Sequence, residues 1–443
     1  MNKNPPQDRV RLAGRLPASA QRRICYVCTW NYLGGTETLI LRHLRWLRQN
    51  GYVGMVISPL GVMSDAYQAA ASMFVELSEA QADHISMTDH ELASRDDQIA
   101  DAIGRDKPCH FIVFNLDGLH LAAELCSRVD GSAVSVHLVF DDIFGPERFE
   151  PLEEMNERGM VIAMNEGCLE GHRKKFGYKL ESSVLVPLPM VIPEAVRIPH
   201  DDTECIILTV ARLVEMKGYV EGLINDFADI ARASKVPCRL LVVGDGPLRP
   251  EFERAARRTG LGHRIEFIGS VPYAELHAYY ARADIYVGMG TTLLEAAAAG
   301  VPAIIATAFT ARFVTPGLFG RVSGLGLGEP FSGMAQVPGR EILRNLVESP
   351  QARKAAGADG RAKVVAQFDQ DVVMREFLRQ LDLNACQIGL FPRPKHDVPF
   401  PLARSYVKRI FGYHPWVMWL GRKISRPLNS AASLCRMFFS NRS

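Results

Sequence analysis

Residues 283–305 read ADIYVGMGTTLLEAAAAGVPAII, and this stretch has the clearest secondary-structure pattern in the chain. Its first apolar run predicts a strand, Gly288 and Gly290 predict a turn, and the alanine-rich run after them predicts a helix. Gly300 ends that helix, and a second short strand follows. A glycine-loosened turn that leads from the carboxyl end of a strand into a helix is typical of parallel α/β folds.

The start of this helix has the chemistry of an anion site. Its first N–H groups have no intrahelical partner and the helix dipole is positive there, which favours a ligand such as diphosphate. Gly34 and Gly35 place a second helix start behind a strand, although a plain tight turn would also explain them. Glu295 lies in the first turns of the later helix. If it faces the ligand, its carboxylate would accept hydrogen bonds from ribose hydroxyls; alternatively, it is an ordinary surface acid.

The composition is that of a soluble globular protein. The chain has 443 residues, 47% hydrophobic and 23% charged, with room for about two to three domains. A formal net charge of +2 gives no global reason to expect nucleic acid binding. The nine cysteines have no regular spacing, and Cys25 and Cys28 lie within an apolar run, so we predict reduced thiols, a cytoplasmic location and no metal site. No apolar run reaches the roughly 18 residues that predict a transmembrane helix.

Strands that alternate with helices occur in two series, which predicts two doubly wound parallel sheets with a ligand-binding cleft between them. Residues 60–105 are rich in Ala, Asp and Glu and are predicted to be helical. The alternation stops after residue 384. The predicted divisions are a disordered tail over 1–22, a Rossmann-like domain over 23–190, a linker over 191–203, a second Rossmann-like domain over 204–384 and a C-terminal extension over 385–443.

Several polar and charged residues fall where strands end, which is where ligands bind in open parallel sheets. Asp117, His137 and Asn165 are such residues in the first series, although polar residues also reach strand ends by chance. In the second series, Arg212 and Lys217 lie in one strand-to-helix loop. Two cations there can neutralise a diphosphate and stabilise a leaving group, although a solvated loop is the alternative.

The C-terminal extension is basic and aromatic. Between Phe391 and Ser443, ten Lys or Arg residues accompany one acid, and residues 402–424 interleave five aromatic with five basic side chains. This pattern fits a helix at the surface of an anionic membrane, although Gly412 and Pro415 interrupt it. The alternative is a C-terminal helix docked on the protein.

The second series resembles the family 4 glycosyltransferases in both the order and the spacing of its motifs. The turn at Gly34 and Gly35 is similar to the N-terminal glycine turn of that family, whereas the extension after residue 385 has no counterpart. The motifs that carry the resemblance are Ala211-Arg212-Leu213 with Lys217-Gly218, Val243-Gly244-Asp245-Gly246-Pro247-Leu248, Phe267-Ile268-Gly269-Ser270-Val271-Pro272, Ala283-Asp284, Leu294-Glu295-Ala296 and Ala299-Gly300-Val301-Pro302.

The resemblance implies a GT-B fold, in which two Rossmann-like domains form a cleft and the C-terminal domain holds most of a nucleotide-diphosphate sugar, with UDP or GDP as the nucleotide. It also implies a retaining, metal-independent transfer without a cofactor, and catalytic roles for His137, Arg212 and Lys217. The donor-binding residues that it implies are Gly34, Gly35, Arg212, Lys217, Gly269, Ser270, Val271, Gly288, Gly290, Thr291, Thr292 and Glu295.

One position departs from the family pattern. Glu295 matches the second acid of the family's Glu-x7-Glu motif, but the position of the first acid holds Val287. The sequence therefore predicts either a glycosyltransferase with a changed sugar contact through residues 288–292, or a GT-B protein that binds a nucleotide, a glycan or a partner without turnover. An epimerase or a phosphorylase on the same fold is a third alternative.

For the glycosyltransferase we predict a glycan or lipid-linked acceptor and a role in cell-surface polysaccharide assembly. The predicted location is cytoplasmic, with peripheral contact to the inner membrane face through residues 402–424.

Overall fold

The computed structural model describes most of the chain between Arg11 and Leu383. The described residues are 11–14, 22–31, 34–82, 87–139, 149, 151–194, 204–329 and 335–383. Residues 195–203 of the predicted linker, the extension over 385–443 and its stretch 402–424 with predicted membrane contact lie outside them. Among the described residues, no helix combines the length and the hydropathy that crossing a bilayer requires.

The first domain is built around one sheet. Its strands are β1 (Arg11–Gly14), β2 (Arg23–Val27), β3 (Val53–Pro59), β4 (Met73–Leu77), β5 (His110–Val113), β6 (Ala133–Leu138), β7 (Val161–Ala163) and β8 (Val184–Leu185). They lie in the order β1-β4-β3-β2-β5-β6-β7-β8, and every pair is parallel except β1 with β4. The helices are α1 (Gly35–Gln49), α2 (Ser64–Ala70), α3 (Glu79–Ala82), α4 (Asp89–Ile103), α5 (Leu116–Cys126), α6 (Pro151–Glu157) and α7 (Glu166–Phe176).

The second domain has a five-stranded parallel sheet in the order β11-β10-β9-β12-β13. Its elements in chain order are β9 (Cys205–Val210), α8 (Tyr219–Ala233), β10 (Cys238–Val243), α9 (Arg249–Arg258), β11 (Ile265–Gly269), α10 (Leu276–Arg282), β12 (Ile285–Gly288), α11 (Thr291–Ala298) and β13 (Ala303–Ile305). After them come a short antiparallel pair, β14 (Val314–Thr315) with β15 (Val337–Pro338), and three helices, α12 (Gly339–Glu348), α13 (Pro350–Gln367) and α14 (Gln370–Leu383).

The central strands are apolar runs because helices cover both faces of each sheet. Every residue of β2, β3 and β12 is buried, which is the pattern of parallel strands inside an α/β domain. Asparagine side chains cap the start of two helices in the first domain. Asn115 Oδ1 accepts the N–H of Gly118, and Asn165 Oδ1 accepts the N–H of Cys168, both at 2.9 Å. Asn165, a candidate ligand-binding residue from the sequence, is therefore a helix cap.

In each sheet, the strand order reverses direction at one point, so that later strands lie on the opposite side of the first strand. In the first domain, this point lies between β2 and β5, because β3 and β4 add on one side and β6 to β8 on the other. In the second domain, it lies between β9 and β12. The crevice beyond the carboxyl ends of the two strands at such a switch point is the usual ligand site of open α/β sheets.

The last helix, α14, returns to the first domain and packs beside α1. The indole Nε1 of Trp46 donates to Asp371 Oδ1 at 2.6 Å, and Gln370 Nε2 donates to the carbonyl of Arg42 at 3.3 Å. The ring of Phe377 lies 4.9 Å from the ring of His43. The two domains are therefore joined by a helix as well as by the chain between them.

Two sequence predictions about secondary structure are wrong. Residues Arg11–Gly14, placed in a disordered tail, form β1 and pair with β4. Met73–Leu77, placed in a helical region, form β4, because this short apolar segment supplies a buried strand between two polar helical stretches. The rest of the tail, 1–10 and 15–21, lies outside the described residues.

Candidate functional site

The switch point of the second sheet collects the charged residues that the sequence singled out. β9 and β12 are neighbours, with Leu208 paired to Tyr286. Arg212 and Lys217 follow β9, and residues 289–292 follow β12, so the two loops open side by side at one edge of the sheet. We call the space bounded by residues 211–218 and 289–292 the switch-point crevice.

Two glycines hold the loop that carries Arg212. Gly244 and Gly246 have φ values of 120° and 157°, in the region that favours glycine. A Cβ at Gly244 would overlap the carbonyl oxygen of Ala211, and a Cβ at Gly246 would overlap that of Leu213. The Gly-Asp-Gly motif therefore lets two loops lie against each other, and the side chain of Arg212 stays exposed at the crevice.

Lys217 ends a short 3-10 turn, Glu215–Lys217, that leads into α8. The residue is partly buried, and this burial lowers the pKa of its ammonium group to about 8, although the carboxylate of Glu329 acts in the opposite direction. Burial removes the hydration that stabilises an ammonium group. An anionic ligand stabilises the charged form again, because its negative charge replaces the lost interaction with water. Lys217 is therefore suited to a phosphate.

The turn between β12 and α11 consists of Met289 and Gly290 alone. Gly290 has a φ of 72°, and its N–H donates to the carbonyl of Leu327 at 2.7 Å. Thr291 is the first residue of α11, so its N–H belongs to the group that a helix leaves without an internal partner. A Cβ on Gly288 would overlap the ring of Tyr286, so this glycine is needed for packing.

Thr292 has a structural task at this turn. Its Oγ1 accepts a hydrogen bond from the hydroxyl of Tyr286 at 2.6 Å and lies 3.2 Å from the carbonyl of Val210 at the end of β9. These bonds tie the first turn of α11 to β9, so the hydroxyl of Thr292 is already occupied.

Glu295 is surrounded by hydrogen-bond donors from both domains. Its Oε1 accepts from Arg42 at 2.7 Å and from the Tyr273 hydroxyl at 2.9 Å, and its Oε2 accepts from the Tyr280 hydroxyl at 2.9 Å. The side chains of Arg42 and Glu295 are only 8% and 10% exposed. A carboxylate has about four acceptor positions, so one place remains on Oε2. Ribose binding by Glu295 stays a prediction, limited to one hydroxyl in this arrangement.

The structure gives the position of the departure at Val287 in the fold. Val287 lies inside β12, pairs with Ile304 and has no exposed surface. An acid at this position would point into the protein core rather than into the crevice. With only Met289 and Gly290 between β12 and α11, there is no loop here to carry a sugar-binding acid.

The prediction that His137 lies at the reacting centre is wrong for this arrangement. Its ring is 1% exposed, 5.7 Å from the ring of Phe114, 6.3 Å from that of Phe377 and 6.5 Å from that of His43. Burial lowers the pKa of His137 to about 4, and neither ring nitrogen has a hydrogen-bond partner. The sequence correctly placed the backbone of His137 near the end of a strand, but the side chain of His137 faces α1 and α14.

Gly34 and Gly35 lie at the start of α1, as predicted, but their neighbour Glu37 opposes an anion there. Glu37 is 4% exposed in the first turn, and its Oε2 lies 2.7 Å from the place that a Cβ on Gly34 would take. This carboxylate offsets the positive end of the helix. Nothing lies within 4 Å of a Cβ built on Gly35. Donor binding by Gly34 and Gly35 stays a prediction.

Gly269, Ser270 and Val271 leave β11 at the same edge of the sheet as the switch-point crevice. Gly269 has a φ of 87°, and its carbonyl accepts the N–H of Gly244 at 2.8 Å. β11 is two strand spacings, or about 10 Å, from β9. These residues are thus set apart from Arg212 and Lys217, and a ligand that reaches both must extend along the sheet edge.

The sequence missed four residues that the fold brings to this region, namely Arg42, Tyr273, Tyr280 and Glu329. Arg42 and Glu295 are 253 residues apart, so no local pattern connects them. Tyr273 lies just after the Gly269–Val271 turn, and its proximity to that motif is the one signal that the sequence offers. Within the part of the chain that the structure describes, no three His, Cys, Asp or Glu side chains lie together as a metal site.

Comparison with known proteins finds similarity over part of the chain. Residues 193–314 match the family described as Glycosyl transferases group 1. The chain is 31% identical over 186 residues to the GDP-mannose-dependent monoacylated alpha-(1-6)-phosphatidylinositol monomannoside mannosyltransferase of Corynebacterium glutamicum, covering 39% of this chain and 45% of that protein. It is 28% identical over 193 residues to a GDP-mannose-dependent alpha-(1-6)-phosphatidylinositol monomannoside mannosyltransferase of Mycobacterium tuberculosis, covering 39% and 47%. The chain thus spans just under half the length of these relatives.

Solved structures share the fold over most of the chain. Anabaena HepE in complex with UDP and glucose superposes with a TM-score of 0.59 at 15% identity, covering 82% of this chain and 100% of that one. A glycosyltransferase from Rickettsia africae gives 0.58 at 13% identity, covering 82% and 98%. These identities show the fold alone. The predicted GT-B fold class, with two Rossmann-like domains and an interdomain cleft, is confirmed.

Proposed function

We propose that this chain is a family 4 glycosyltransferase that moves a sugar from a nucleotide-diphosphate sugar to a glycan or lipid-linked acceptor. The observation that carries the proposal is the placement of Arg212 and Lys217 in the switch-point crevice, beside the start of α11. An exposed guanidinium and a partly buried ammonium group match the two phosphates of such a donor. The family match over 193–314 supports the same conclusion.

In the proposed reaction, the bond between the sugar C1 and the β-phosphate oxygen breaks, and the electron pair stays on that oxygen. Arg212, Lys217 and the first N–H groups of α11 stabilise the charge that develops there. The acceptor hydroxyl oxygen forms the new bond to C1, and its proton passes to the departing phosphate. Because two cations supply positive charge at the leaving group, we propose metal-independent transfer, and the family resemblance favours retention.

The relatives guide the choice of substrates. Two of them are described as GDP-mannose-dependent enzymes that act on phosphatidylinositol mannosides, and HepE binds UDP and glucose. We therefore propose GDP-mannose and UDP-glucose as first donors to test. A lipid-linked acceptor at the inner membrane face, in cell-surface polysaccharide assembly, fits the basic aromatic stretch 402–424. Replacing its Lys408, Arg409, Arg422 and Lys423 by Gln should lower flotation with anionic liposomes; unchanged flotation would contradict membrane contact.

A second candidate function is nucleotide or glycan binding without turnover. It is favoured by the two-residue turn between β12 and α11, which carries no acid that could contact the donor sugar. Nucleotide binding in the absence of any transfer or hydrolysis, across a panel of donors, would support it. Release of free nucleotide without an acceptor would instead indicate an epimerase-like or hydrolytic activity.

The site is tested by calorimetric binding of UDP and GDP to the wild type and to a double variant, Arg212→Ala with Lys217→Ala. Each charge-assisted hydrogen bond is worth about 1.5–3 kcal/mol, so we expect affinity to fall by roughly 100-fold or more. The control is Arg232→Ala with Lys235→Ala, which removes two exposed positive charges at the opposite edge of the same sheet and should bind like the wild type. Equal nucleotide affinity in all three proteins would contradict the site.

A further inference from the structure

One segment covers the turn between β12 and α11. The cover segment, residues 324–329, lies directly on this turn, with the carbonyl of Leu327 accepting the N–H of Gly290 at 2.7 Å. The carbonyl of Gly328 accepts the N–H of Ala308 at 2.9 Å. Gly328 has a φ of 115°, and a Cβ there would press on Met289, so only glycine allows this contact. The last residue of the segment, Glu329, is thus fixed beside the crevice.

Glu329 connects three parts of the site. Its Oε2 accepts the N–H of Leu327 at 2.8 Å, which sets the orientation of the carboxylate. Its carboxylate raises the pKa of Lys217, so the two charges are electrostatic neighbours. Its Cβ lies 2.9 Å from the place that a Cβ on Gly167 would take, at the start of α7 in the first domain. Glu329 therefore lies where the switch-point crevice meets the first domain.

The position of Glu329 matches the hydroxyl part of a donor better than its phosphate part. A carboxylate repels phosphate but accepts hydrogen bonds from hydroxyl groups, which are donors. Among the described residues, Oε1 of Glu329 accepts no hydrogen bond, so one oxygen is available. Glu295, the acid on α11, already accepts three.

We propose that Glu329 binds hydroxyl groups of the donor sugar and so lets the site prefer a sugar nucleotide over the free nucleotide diphosphate. The proposal rests on the proposed function. In this arrangement, Arg212 and Lys217 hold the diphosphate while the cover segment supplies the sugar-binding acid that the short turn after β12 cannot carry. Glu329 is thus a specificity-determining residue that comes from the connection between β14 and β15 rather than from the β12–α11 turn.

The test compares Glu329→Gln with the wild type for binding of UDP against UDP-glucose and of GDP against GDP-mannose. Gln keeps an oxygen for the Leu327 N–H, so the segment should stay folded and the melting temperature should not change. We expect binding of the preferred sugar nucleotide to weaken by about tenfold, the value of one charge-assisted hydrogen bond. Binding of the free nucleotide, measured at pH 6.5 so that Lys217 stays protonated in both proteins, should stay equal or tighten, because a negative charge near the phosphates is lost.

Glu166→Gln is the matched control. Glu166 Oε2 accepts the N–H of Leu325 at 3.0 Å, so it holds the same segment, but its carboxylate acts on Lys363 rather than on Lys217. The ratio of sugar-nucleotide to nucleotide affinity should remain that of the wild type in this variant.

The experiment distinguishes failure of the role proposed for Glu329 from failure of the proposed function. A wild type that binds none of the four probes would refute the proposed function. A wild type that binds them, with a Glu329→Gln variant that keeps the wild-type affinity ratio, would overturn the role of Glu329 alone. Equal weakening of nucleotide and sugar nucleotide, or the same change of ratio in Glu166→Gln, would also overturn it, because either result indicates loss of the segment rather than of a sugar contact.

Discussion

Lys217 gives the site a specific pH dependence. Burial lowers the pKa of its ammonium group to about 8, and a bound diphosphate would raise it again. Below this pKa the free protein already carries the proton, so nucleotide affinity should change by no more than about twofold from pH 7 to 8. Above it, binding must take up a proton, so the dissociation constant should rise by up to about tenfold per pH unit. Calorimetric titration of UDP and GDP from pH 7 to 9.5 measures this change.

Lys217→Arg is the control for the pH profile, because a guanidinium stays protonated throughout this range. Its nucleotide affinity should show no change of slope near pH 8, whatever its absolute value. The same break in the variant and in the wild type would assign the titration to another group.

His137 packs in an aromatic cluster with His43, Phe114 and Phe377, so we expect it to act in packing rather than in catalysis. His137→Phe should preserve sugar transfer within about twofold and leave stability equal or raised by about 1 kcal/mol, because two buried ring nitrogens without partners are removed. Its pKa of about 4 also predicts acid lability. The stability that the neutral ring provides is present above pH 6.5, the unfolded value, and is lost as the pH falls towards 4. The variant should lose less stability over this interval, measured by urea unfolding.

Phe377 and Val372 of α14 serve as comparison variants in the same experiment. Phe377 is fully buried in the cluster, so Phe377→Ala should cost about 3–5 kcal/mol. Val372 is 52% exposed on the same helix, and Val372→Ala should change stability by less than about 0.5 kcal/mol. A loss of transfer in His137→Phe at unchanged stability would contradict the packing role.

Elements with strong apolar patterns were predictable from the sequence, and elements defined by partners were not. The strands β12 and β13 are short apolar runs on either side of the predicted helix, and the structure has them where the sequence places them. β1 depends on its pairing with the distant β4. At Val287 the two sequence arguments disagreed: the apolar run predicted a strand, whereas the family spacing placed a ligand-binding acid there, and the structure agrees with the apolar run.

The two domains meet through a buried ion pair whose coupling can be measured. We expect Arg42→Met or Glu295→Gln alone to destabilise the protein by about 3 kcal/mol, because each leaves a buried partner uncompensated. The double variant should cost less than the sum by about 1–3 kcal/mol, measured by urea unfolding in a double-mutant cycle. Arg258 and Glu221 form an exposed pair between α9 and α8, and a parallel cycle there should give a coupling below about 1 kcal/mol. Equal coupling in the two cycles would contradict a structural link between the domains.

The site as a whole was predictable only in part. The sequence identified Arg212, Lys217 and the start of α11, because strand-to-helix loops with glycine and positive charge have a local pattern. Glu329 and Arg42 reach the same region through the packing of segments that are distant along the chain. His137 was placed correctly on its strand and incorrectly in the site, since the face that a strand-end side chain takes depends on the helices that cover it.

Sugar transfer from a nucleotide-diphosphate donor at the switch-point crevice can be measured as the initial rate at which labelled sugar passes from GDP-mannose and UDP-glucose to lipid and glycan acceptors. We expect transfer by the wild type, a rate at least about 100-fold lower in Arg212→Ala with Lys217→Ala, and an unchanged rate in Arg232→Ala with Lys235→Ala. Transfer at the wild-type rate by the first double variant would contradict the proposed site.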